Sequence, residues 1–275
     1  MLPADLDATV ARALAEDIGS GDLSAALIDR EQLLRAHIIS REAGVLCGSP
    51  YVDAVFARLA PGLRVEWQLQ EGDAIAPGQE LCRLQGPAGA LLSGERSALN
   101  FLQLLSATAT QTRRFVERLA GSSTRLLDTR KTLPGLRLAQ KYAVRVGGGH
   151  NHRLGLFDGI LIKENHIAAI GGIGAAIERA RRLAPVLTRI EVEVETLQQL
   201  EEALAAAADM VLLDNFSLAD LRAAVQRVGG QIPLEASGNI SLDTVAAVAA
   251  TGVDYLSVGS ITRNVQSLDL SLRYL

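Results

Sequence analysis

Residues 190–214 read IEVEVETLQQLEEALAAAADMVLLD, and this stretch contains two strand patterns separated by a helical pattern. The two ends are short runs that contain branched apolar residues, which favour strands. The middle is rich in Ala and Leu and has the spacing of an amphipathic helix. Two strands joined by one helix over so few residues are typical of a parallel β-α-β unit, so the stretch predicts a parallel α/β fold.

The alternation of strand and helix extends outward from this unit and begins near Thr124. Six strands are predicted, at residues 125–128, 159–163, 190–195, 211–214, 233–236 and 255–258. The later strands repeat every 21 to 22 residues or so, whereas a complete α/β barrel has eight units and about 250 residues. We therefore expect an incomplete or unusually compact α/β barrel, with a doubly wound open sheet as the alternative.

The first hundred residues have a different pattern. Leu6, Val10 and Leu14 share one face of a predicted helix. Short strands are predicted at residues 37–39, 45–47, 63–69 and 81–84, the last two as a hairpin, and a long helix at residues 92–119. This part of the chain therefore mixes helix and strand without the regular repeat that follows it.

Composition excludes several classes of protein. The chain has 275 residues, of which 48% are hydrophobic and 21% are charged, which suits a folded protein outside the membrane. Lys and Arg number 27 against 31 Asp and Glu, so nucleic acid is not an expected partner. Cys47 and Cys82 form no CxxC pattern, and residues 1–17 lack the features of a secretory signal. We expect a cytoplasmic protein with no membrane partner.

Polar residues follow every predicted strand. In a parallel α/β domain the carboxyl ends of the strands meet at one edge, where ligands bind, so we expect one site there. The candidates at strand ends are Arg130 and Lys131, Lys163, Glu193, Asp214, Ser237, Gly238 and Asn239, and Gly259 and Ser260, together with His152 and Arg153 in a connection.

The cations among these residues indicate an anionic ligand. Arg130, Lys131, Arg153 and Lys163 accompany His152 in a chain whose formal net charge is −4. Arginine is suited to forked recognition of carboxylate or phosphate groups. The ligand should therefore carry several negative charges.

The acids indicate a magnesium site. Glu191, Glu193 and Glu195 fall on one face of the predicted strand, and helices cover the outside of a barrel, so this face should point inward. Glu193 and Asp214 can then hold Mg²⁺, which takes one or two carboxylates plus phosphate oxygens of a substrate. The loops at residues 237–239 and 259–260 precede helices and are suited to bind phosphate.

The sequence is similar to the quinolinate phosphoribosyltransferase family over essentially its whole length. The shared motifs include TRKTLPGLR at residues 129–137, GGGHNHRLGL at 147–156, LIKENHI at 161–167, EVEVE at 191–195 and LEASGNI at 234–240. The resemblance implies an N-terminal α/β sandwich domain (residues 1–107), on which residues 264–275 can pack. It also implies an incomplete barrel of about seven strands (residues 108–263) and a homodimer with active sites shared between subunits.

The resemblance also implies the reaction and the roles of the residues. The family converts quinolinate and phosphoribosyl pyrophosphate to nicotinate mononucleotide, pyrophosphate and CO₂ in NAD biosynthesis. The implied quinolinate contacts are Arg130, His152, Arg153 and Lys163, with Arg96 from the neighbouring subunit. The implied contacts of phosphoribosyl pyrophosphate and its Mg²⁺ are Lys131, Glu193, Asp214 and the loops at Ser237 and Gly259. The catalytic residues expected among these are Lys163, Arg130, Glu193 and Asp214.

Three alternatives stay open at the level of the sequence. Within the same fold, a paralogue associated with molybdenum transport or a nicotinate phosphoribosyltransferase is disfavoured by the intact motifs. A Schiff-base aldolase could use Lys163, because lysine at a barrel strand end suits that chemistry. An anion-binding or carrier protein could use the GDAIAPGQ segment at residues 72–79. The family often has His in the threonine-containing motif after the last strand, where this chain reads ITRN at residues 261–264, and Arg263 could serve the same anion.

Overall fold

The structure is a computed structural model that describes residues 1–29 and 31–275. The chain forms two compact units. The first comprises Met1–Arg113, Thr132–Gly148 and Ile261–Leu275, and the second comprises Arg114–Lys131 and Gly149–Ser260. Neither unit is continuous in sequence. The domain boundaries expected after residues 107 and 263 stay predictions.

Helices and strands alternate irregularly in the first third of the chain and regularly after it. In chain order they are α1(Leu6–Ile18), β1(Leu33–Ser40), β2(Gly44–Val45), α2(Ser49–Leu59), β3(Arg64–Trp67), β4(Ala74–Ile75), β5(Glu80–Pro87), α3(Ala88–Arg118), β6(Arg125–Leu127), α4(Arg137–Val146), β7(Ile160–Ile162), α5(Glu164–Ile170), α6(Ile173–Leu183), β8(Ile190–Val194), α7(Leu197–Ala205), β9(Met210–Asp214), α8(Leu218–Val228), β10(Leu234–Ser237), α9(Val245–Ala249), β11(Tyr255–Ser257), α10(Ser260–Arg263) and β12(Leu270–Tyr274).

The first unit contains an antiparallel sheet in the order β12-β1-β5-β3. The expected hairpin is present, with Val65 of β3 opposite Leu84 of β5. The last strand of the chain pairs with the first, with Leu272 opposite Ile38, so the C-terminal segment lies on this sheet. Apolar side chains of the sheet and of α1, α2 and α3 form the core of the unit.

Buried hydroxyl groups of α3 hold the chain around β2 against that helix. Ser106 Oγ accepts the backbone N–H of Cys47 and donates to its carbonyl oxygen, both over 3.0 Å. Thr110 Oγ1 accepts the backbone N–H of Val45 over 2.8 Å. These side chains supply hydrogen-bond partners for backbone groups that lie away from water, where an unmade hydrogen bond is costly.

The second unit contains a parallel sheet, whose described strands follow the order β6-β11-β10-β9-β8-β7. Leu127 on one edge strand and Ile160 on the other line the same cavity, of about 430 Å³, so the sheet is curled into an incomplete barrel. The predicted α/β fold is confirmed. In place of a seventh strand, His150 forms an isolated parallel bridge with Leu127.

The carboxylate face of β8 points into the barrel, as its alternation predicts. Val192 and Val194 are fully buried, whereas Glu191 and Glu193 lie on the other face with the polar groups of the site. Glu195 departs from the expectation, because β8 ends at Val194 and Glu195 is exposed beyond it.

Within residues 1–29 and 31–275, we find no helix that combines the length and the apolar character needed to span a lipid bilayer.

The paired hydrogen bonds of Ser106 make a stability prediction. Ser106→Ala should lower the free energy of unfolding by about 1 to 3 kcal/mol, because both backbone groups of Cys47 lose their buried partner. Urea denaturation measures this change. The exposed Ser20→Ala is the control and should change stability by about 0.5 kcal/mol or less. Equal stability of the two variants would contradict the proposed contribution of Ser106.

Candidate active site

The second unit contains Arg130 and Arg153, and the charge of the first acts on the second. Arg130 follows β6, and Arg153 lies in the segment that precedes β7. Burial lowers the pKa of Arg153, and the positive charge of Arg130 lowers it further, while Glu191 and Asp158 oppose the change. Two guanidinium groups that repel each other in a partly buried place are suited to hold an anion with more than one negative charge.

The buried carboxylate of Asp128 fastens the segment around Arg153 to the end of β6. Asp128 Oδ1 accepts the backbone N–H of His152 over 2.9 Å, and Oδ2 accepts Asn151 Nδ2 over 2.6 Å. The Asp128 N–H in turn donates to the carbonyl oxygen of His150 over 3.1 Å. We call residues 150–153 the closing segment, because it lies beside the barrel edge at Leu127. Its attachment to Asp128 determines where His152 and Arg153 point.

Lys163, Glu193 and Asp214 bring opposite charges together at the ends of neighbouring strands. Lys163 Nζ forms an ion pair with Glu193 Oε2. Burial raises the pKa of Glu193, Lys163 opposes this, and the negative charge of Asp214 adds to the rise. Asp214 ends β9 two residues beyond Leu212, which pairs with Glu193 in the sheet, so the two carboxylates lie toward the same ends of adjacent strands.

The loops after β9 and β10 are held together in unusual backbone conformations. Asn215 and Asn239 both have positive φ, at 55° and 51°. Gly238 has a φ of 98°, and a Cβ atom there would lie 2.1 Å from Asn215 Oδ1, so only glycine fits. Strained residues of this kind cluster at ligand sites, where backbone N–H groups must face the ligand.

A second close approach joins the loops after β11 and β6. A Cβ atom at Gly259 would lie 2.9 Å from Lys131 Cδ and 3.4 Å from Thr129 Oγ1. The Lys131 backbone N–H donates to Thr129 Oγ1 over 3.0 Å. Glycine at this position therefore lets the Lys131 side chain cross the end of β11.

The structure brings most of the residues predicted from the sequence into one unit. The members at or beside the carboxyl ends of its strands are Arg130, Lys131, Lys163, Glu193, Asp214, Ser237, Gly238, Asn239, Gly259 and Ser260, with His152 and Arg153 in the closing segment. Arg96 lies on α3 in the first unit, where it is exposed. Arg263 is also exposed and belongs to the first unit.

Sequence reasoning missed Asp128 and Glu235, two buried acids beside the closing segment. Both are fully buried in the structure. Each stands in an otherwise apolar strand run, LLD at 126–128 and PLEA at 233–236. A carboxylate in such a run is a usable signal, because buried acids require a specific compensating partner.

The ion pair of Lys163 bears on the aldolase alternative. Schiff-base formation requires a neutral amine, whereas the pair with Glu193 uses the charged ammonium group. Lys163 also lies in a site with two arginines, which a carbonyl substrate would not require. Nothing in the site favours the aldolase.

Comparisons with known proteins agree with this geometry. The family models for the N-terminal and C-terminal domains of quinolinate phosphoribosyl transferase match residues 22–106 and 108–273. The chain is 45% identical over 257 residues to a probable nicotinate-nucleotide pyrophosphorylase (carboxylating) of Bacillus subtilis (strain 168), covering 94% of this chain and 89% of that protein. It is 43% identical to the corresponding enzyme of Mycobacterium leprae (strain TN), covering 96% and 95%.

A solved structure extends the likeness to the fold. The nicotinate-nucleotide pyrophosphorylase from Francisella tularensis superposes with a TM-score of 0.95 at 44% identity, covering 100% of this chain and 98% of that chain. The two domain models together span nearly the whole sequence. The resemblance seen in the motifs is thereby confirmed, and the chain belongs to the quinolinate phosphoribosyltransferase family.

Proposed function

We propose that this chain transfers the phosphoribosyl group of phosphoribosyl pyrophosphate to the nitrogen of quinolinate and releases pyrophosphate and CO₂. The product is nicotinate mononucleotide, a precursor of NAD. The proposal depends above all on the neighbouring Arg130 and Arg153, which provide more positive charge than a single carboxylate requires. The family membership supports it over residues 22–106 and 108–273. Cys47 and Cys82 are buried free thiols, as expected for a protein in the reducing environment of the cytoplasm.

The cationic residues act by holding the two adjacent carboxylates of quinolinate. Arg130 and Arg153 are proposed to bind them. Lys163, which directly follows β7, and His152, which precedes Arg153, are proposed to assist. Two anionic substrates repel each other, and fixed positive charges offset that repulsion. Holding the ring nitrogen in line with the anomeric carbon of the sugar supplies much of the rate acceleration.

The bond changes require no nucleophilic side chain. The quinolinate nitrogen forms a bond to the anomeric carbon as the bond from that carbon to pyrophosphate breaks. The resulting pyridinium withdraws electrons, so the carbon–carbon bond to the adjacent carboxylate breaks, CO₂ leaves and the ring carbon takes up a proton. Arg130 and Lys163 are proposed as catalytic residues because their charges lie where the departing carboxylate is bound.

Glu193 and Asp214 are the residues that would hold Mg²⁺. Their oxygen atoms are the donor type that Mg²⁺ prefers, and the effect of Asp214 on the pKa of Glu193 indicates that the two carboxylates are close. When bound, the ion would neutralise charge on the pyrophosphate group. Lys131 and the loops at residues 237–239 and 259–260 are proposed to bind the phosphate groups, with backbone N–H donors and one ammonium group.

We also propose that the enzyme is a homodimer in which Arg96 completes the partner's active site. Arg96 is exposed on α3, and within the described ranges it forms no ion pair. Its neighbour Glu95 instead accepts the hydroxyl group of Tyr274 over 2.8 Å. An exposed arginine without an acidic partner is available to a ligand of another subunit.

Substrate selectivity tests the proposed function. Quinolinate should react with phosphoribosyl pyrophosphate at a kcat/KM about 100-fold or more above that of nicotinate, because nicotinate leaves part of the cationic site unpaired. Loss of quinolinate absorbance and formation of the mononucleotide report the reaction, and omission of phosphoribosyl pyrophosphate is the control. Equal turnover of the two acids would exclude the assignment.

The proposed magnesium residues make a second prediction. Glu193→Gln and Asp214→Asn should each lower kcat by about 100-fold or more and raise the Mg²⁺ concentration needed, because the carboxylate charge is lost. Quinolinate affinity, measured by calorimetry without the second substrate, should stay within about threefold. The exposed Glu202→Gln is the control. A collapse of quinolinate affinity with an unchanged Mg²⁺ response would assign the carboxylates another role.

Mixed dimers test the role of Arg96. Arg96→Ala and Lys163→Ala should each be nearly inactive, because each removes one cation from every site. After co-expression about half the dimers are mixed, and each mixed dimer has one intact site, so about a quarter of wild-type activity should return. If mixed dimers form and activity does not return, Arg96 does not act across the interface.

A further inference from the structure

Three ionisable side chains meet in the second unit: those of His152, Glu191 and Glu235. His152 Nε2 lies 2.9 Å from Glu191 Oε2 and 3.5 Å from Glu235 Oε2. One ligand atom from each of the three residues lies within 4.8 Å of the others. Glu235 is 0% exposed and Glu191 is 5% exposed. The cluster therefore places two buried carboxylates beside an imidazole that is 15% exposed.

The hydrogen bonds of His152 determine how much charge it can offset. Its Nδ1 accepts the backbone N–H of Arg153 over 2.7 Å, which leaves Nε2 to carry a proton and donate it to Glu191. Glu235 lies farther from Nε2 than a hydrogen bond allows. In the free protein the imidazole is thus hydrogen-bonded to Glu191 and to the backbone of Arg153.

Glu235 receives less charge compensation than Glu191 does. Among residues 1–29 and 31–275, neither of its carboxyl oxygens has a hydrogen-bond partner that meets ordinary geometry. Two carboxylates this close and this buried cannot both ionise at low cost, so one proton remains between them. Since Glu191 holds the hydrogen bond from His152, the proton belongs on Glu235.

The surroundings of Glu235 agree with this assignment. The pKa of Glu235 is raised to about 8, chiefly by burial and next by the negative charge of Glu191. His152 and the hydroxyl group of Ser257 oppose the rise, and the negative charge of Asp128 adds to it. The residues in register with Glu235 are Leu212 on the neighbouring β9 and Tyr255 on the neighbouring β11.

The cluster is connected to the proposed anion-binding groups through the backbone. His152 contacts Glu191 through Nε2 and Arg153 through Nδ1, so the imidazole transmits the position of the acids to the closing segment. A second negative charge on Glu235 would attract the imidazole N–H and also act on the nearby arginines. Both effects would weaken the binding of a ligand that carries two negative charges.

We propose that Glu235 is a positioning residue that retains its proton at neutral pH, and that its neutral carboxyl group keeps His152 and Arg153 in the arrangement that binds a dicarboxylate. This inference rests on the proposed function for the identity of that dicarboxylate, quinolinate. Glu235 does not touch the substrate and acts through His152. When Glu235 loses its proton at alkaline pH, His152 and Arg153 no longer keep the arrangement that binds the dicarboxylate.

The pH dependence of quinolinate use tests the proposal. In the wild type, kcat/KM for quinolinate should fall up to tenfold per pH unit above pH 8 or so, and the fall should lie in KM rather than kcat. Glu235→Gln mimics the neutral acid and cannot ionise, so its KM should stay near the wild-type value at pH 7 and show no such rise. The exposed Glu202→Gln should keep the wild-type profile.

An infrared measurement on the wild type tests the proton without reference to activity. A buried protonated carboxyl group has a carbonyl stretching band that a carboxylate lacks. This band should be present at pH 7, disappear above about pH 8, and be absent from Glu235→Gln at every pH. Ser257→Ala removes a hydroxyl group that opposes the raised pKa, so the band should then persist to higher pH.

The outcomes separate this inference from the proposed function. If the wild type uses quinolinate and Glu235→Gln shows the same alkaline rise in KM, the positioning role is wrong while the function stands. If the wild type does not use quinolinate at any pH, the function is wrong, and the infrared band still decides whether Glu235 is protonated. A stoichiometric divalent metal in the wild type that is lost in Glu235→Gln would also overturn the inference, because metal ligands must be deprotonated.

Discussion

The burial of carboxylates inside a curled parallel sheet is the constraint on which the second unit depends. Asp128 and Glu235 are fully buried, and Glu191 nearly so. A buried acid destabilises the fold unless hydrogen bonds or opposite charges compensate it. Asp128 is compensated by the closing segment, Glu191 by His152, and Glu193 by Lys163. The polar interior therefore determines which backbone segments and cations must lie around it.

This compensation also organises the chemistry. The closing segment fills the gap beside β6 where a further strand would lie, and it brings Arg153 close to Arg130. Lys163 reaches across to Glu193 from the end of β7. In the free protein these acidic and basic side chains stabilise each other. In the proposed reaction the same side chains bind two anionic substrates and a metal ion. Transfer of a phosphoribosyl group between two anionic substrates requires positive charges that are already in place when the substrates bind.

Much of the architecture could be predicted from residue patterns. Each of the six strands predicted in the α/β region overlaps a strand of the parallel sheet, since branched apolar runs between amphipathic helices leave few other choices. Glu195 was an exception, because the alternation of side chains continues in the sequence after β8 has ended. The motifs around Arg130, His152 and Lys163 identified the family, which the domain models confirmed.

The sequence by itself determined the fold class, the family and the types of residue in the site, because these follow from local periodicity and from motifs that are contiguous along the chain. Only the tertiary structure decided which groups meet. Residues 128, 152, 191 and 235 are separated by tens of positions, and their contacts depend on the curl of the sheet. The proton on Glu235 depends on burial and on the distance to a second carboxylate. Neither quantity is a property of local sequence, because both arise when separate strands pack.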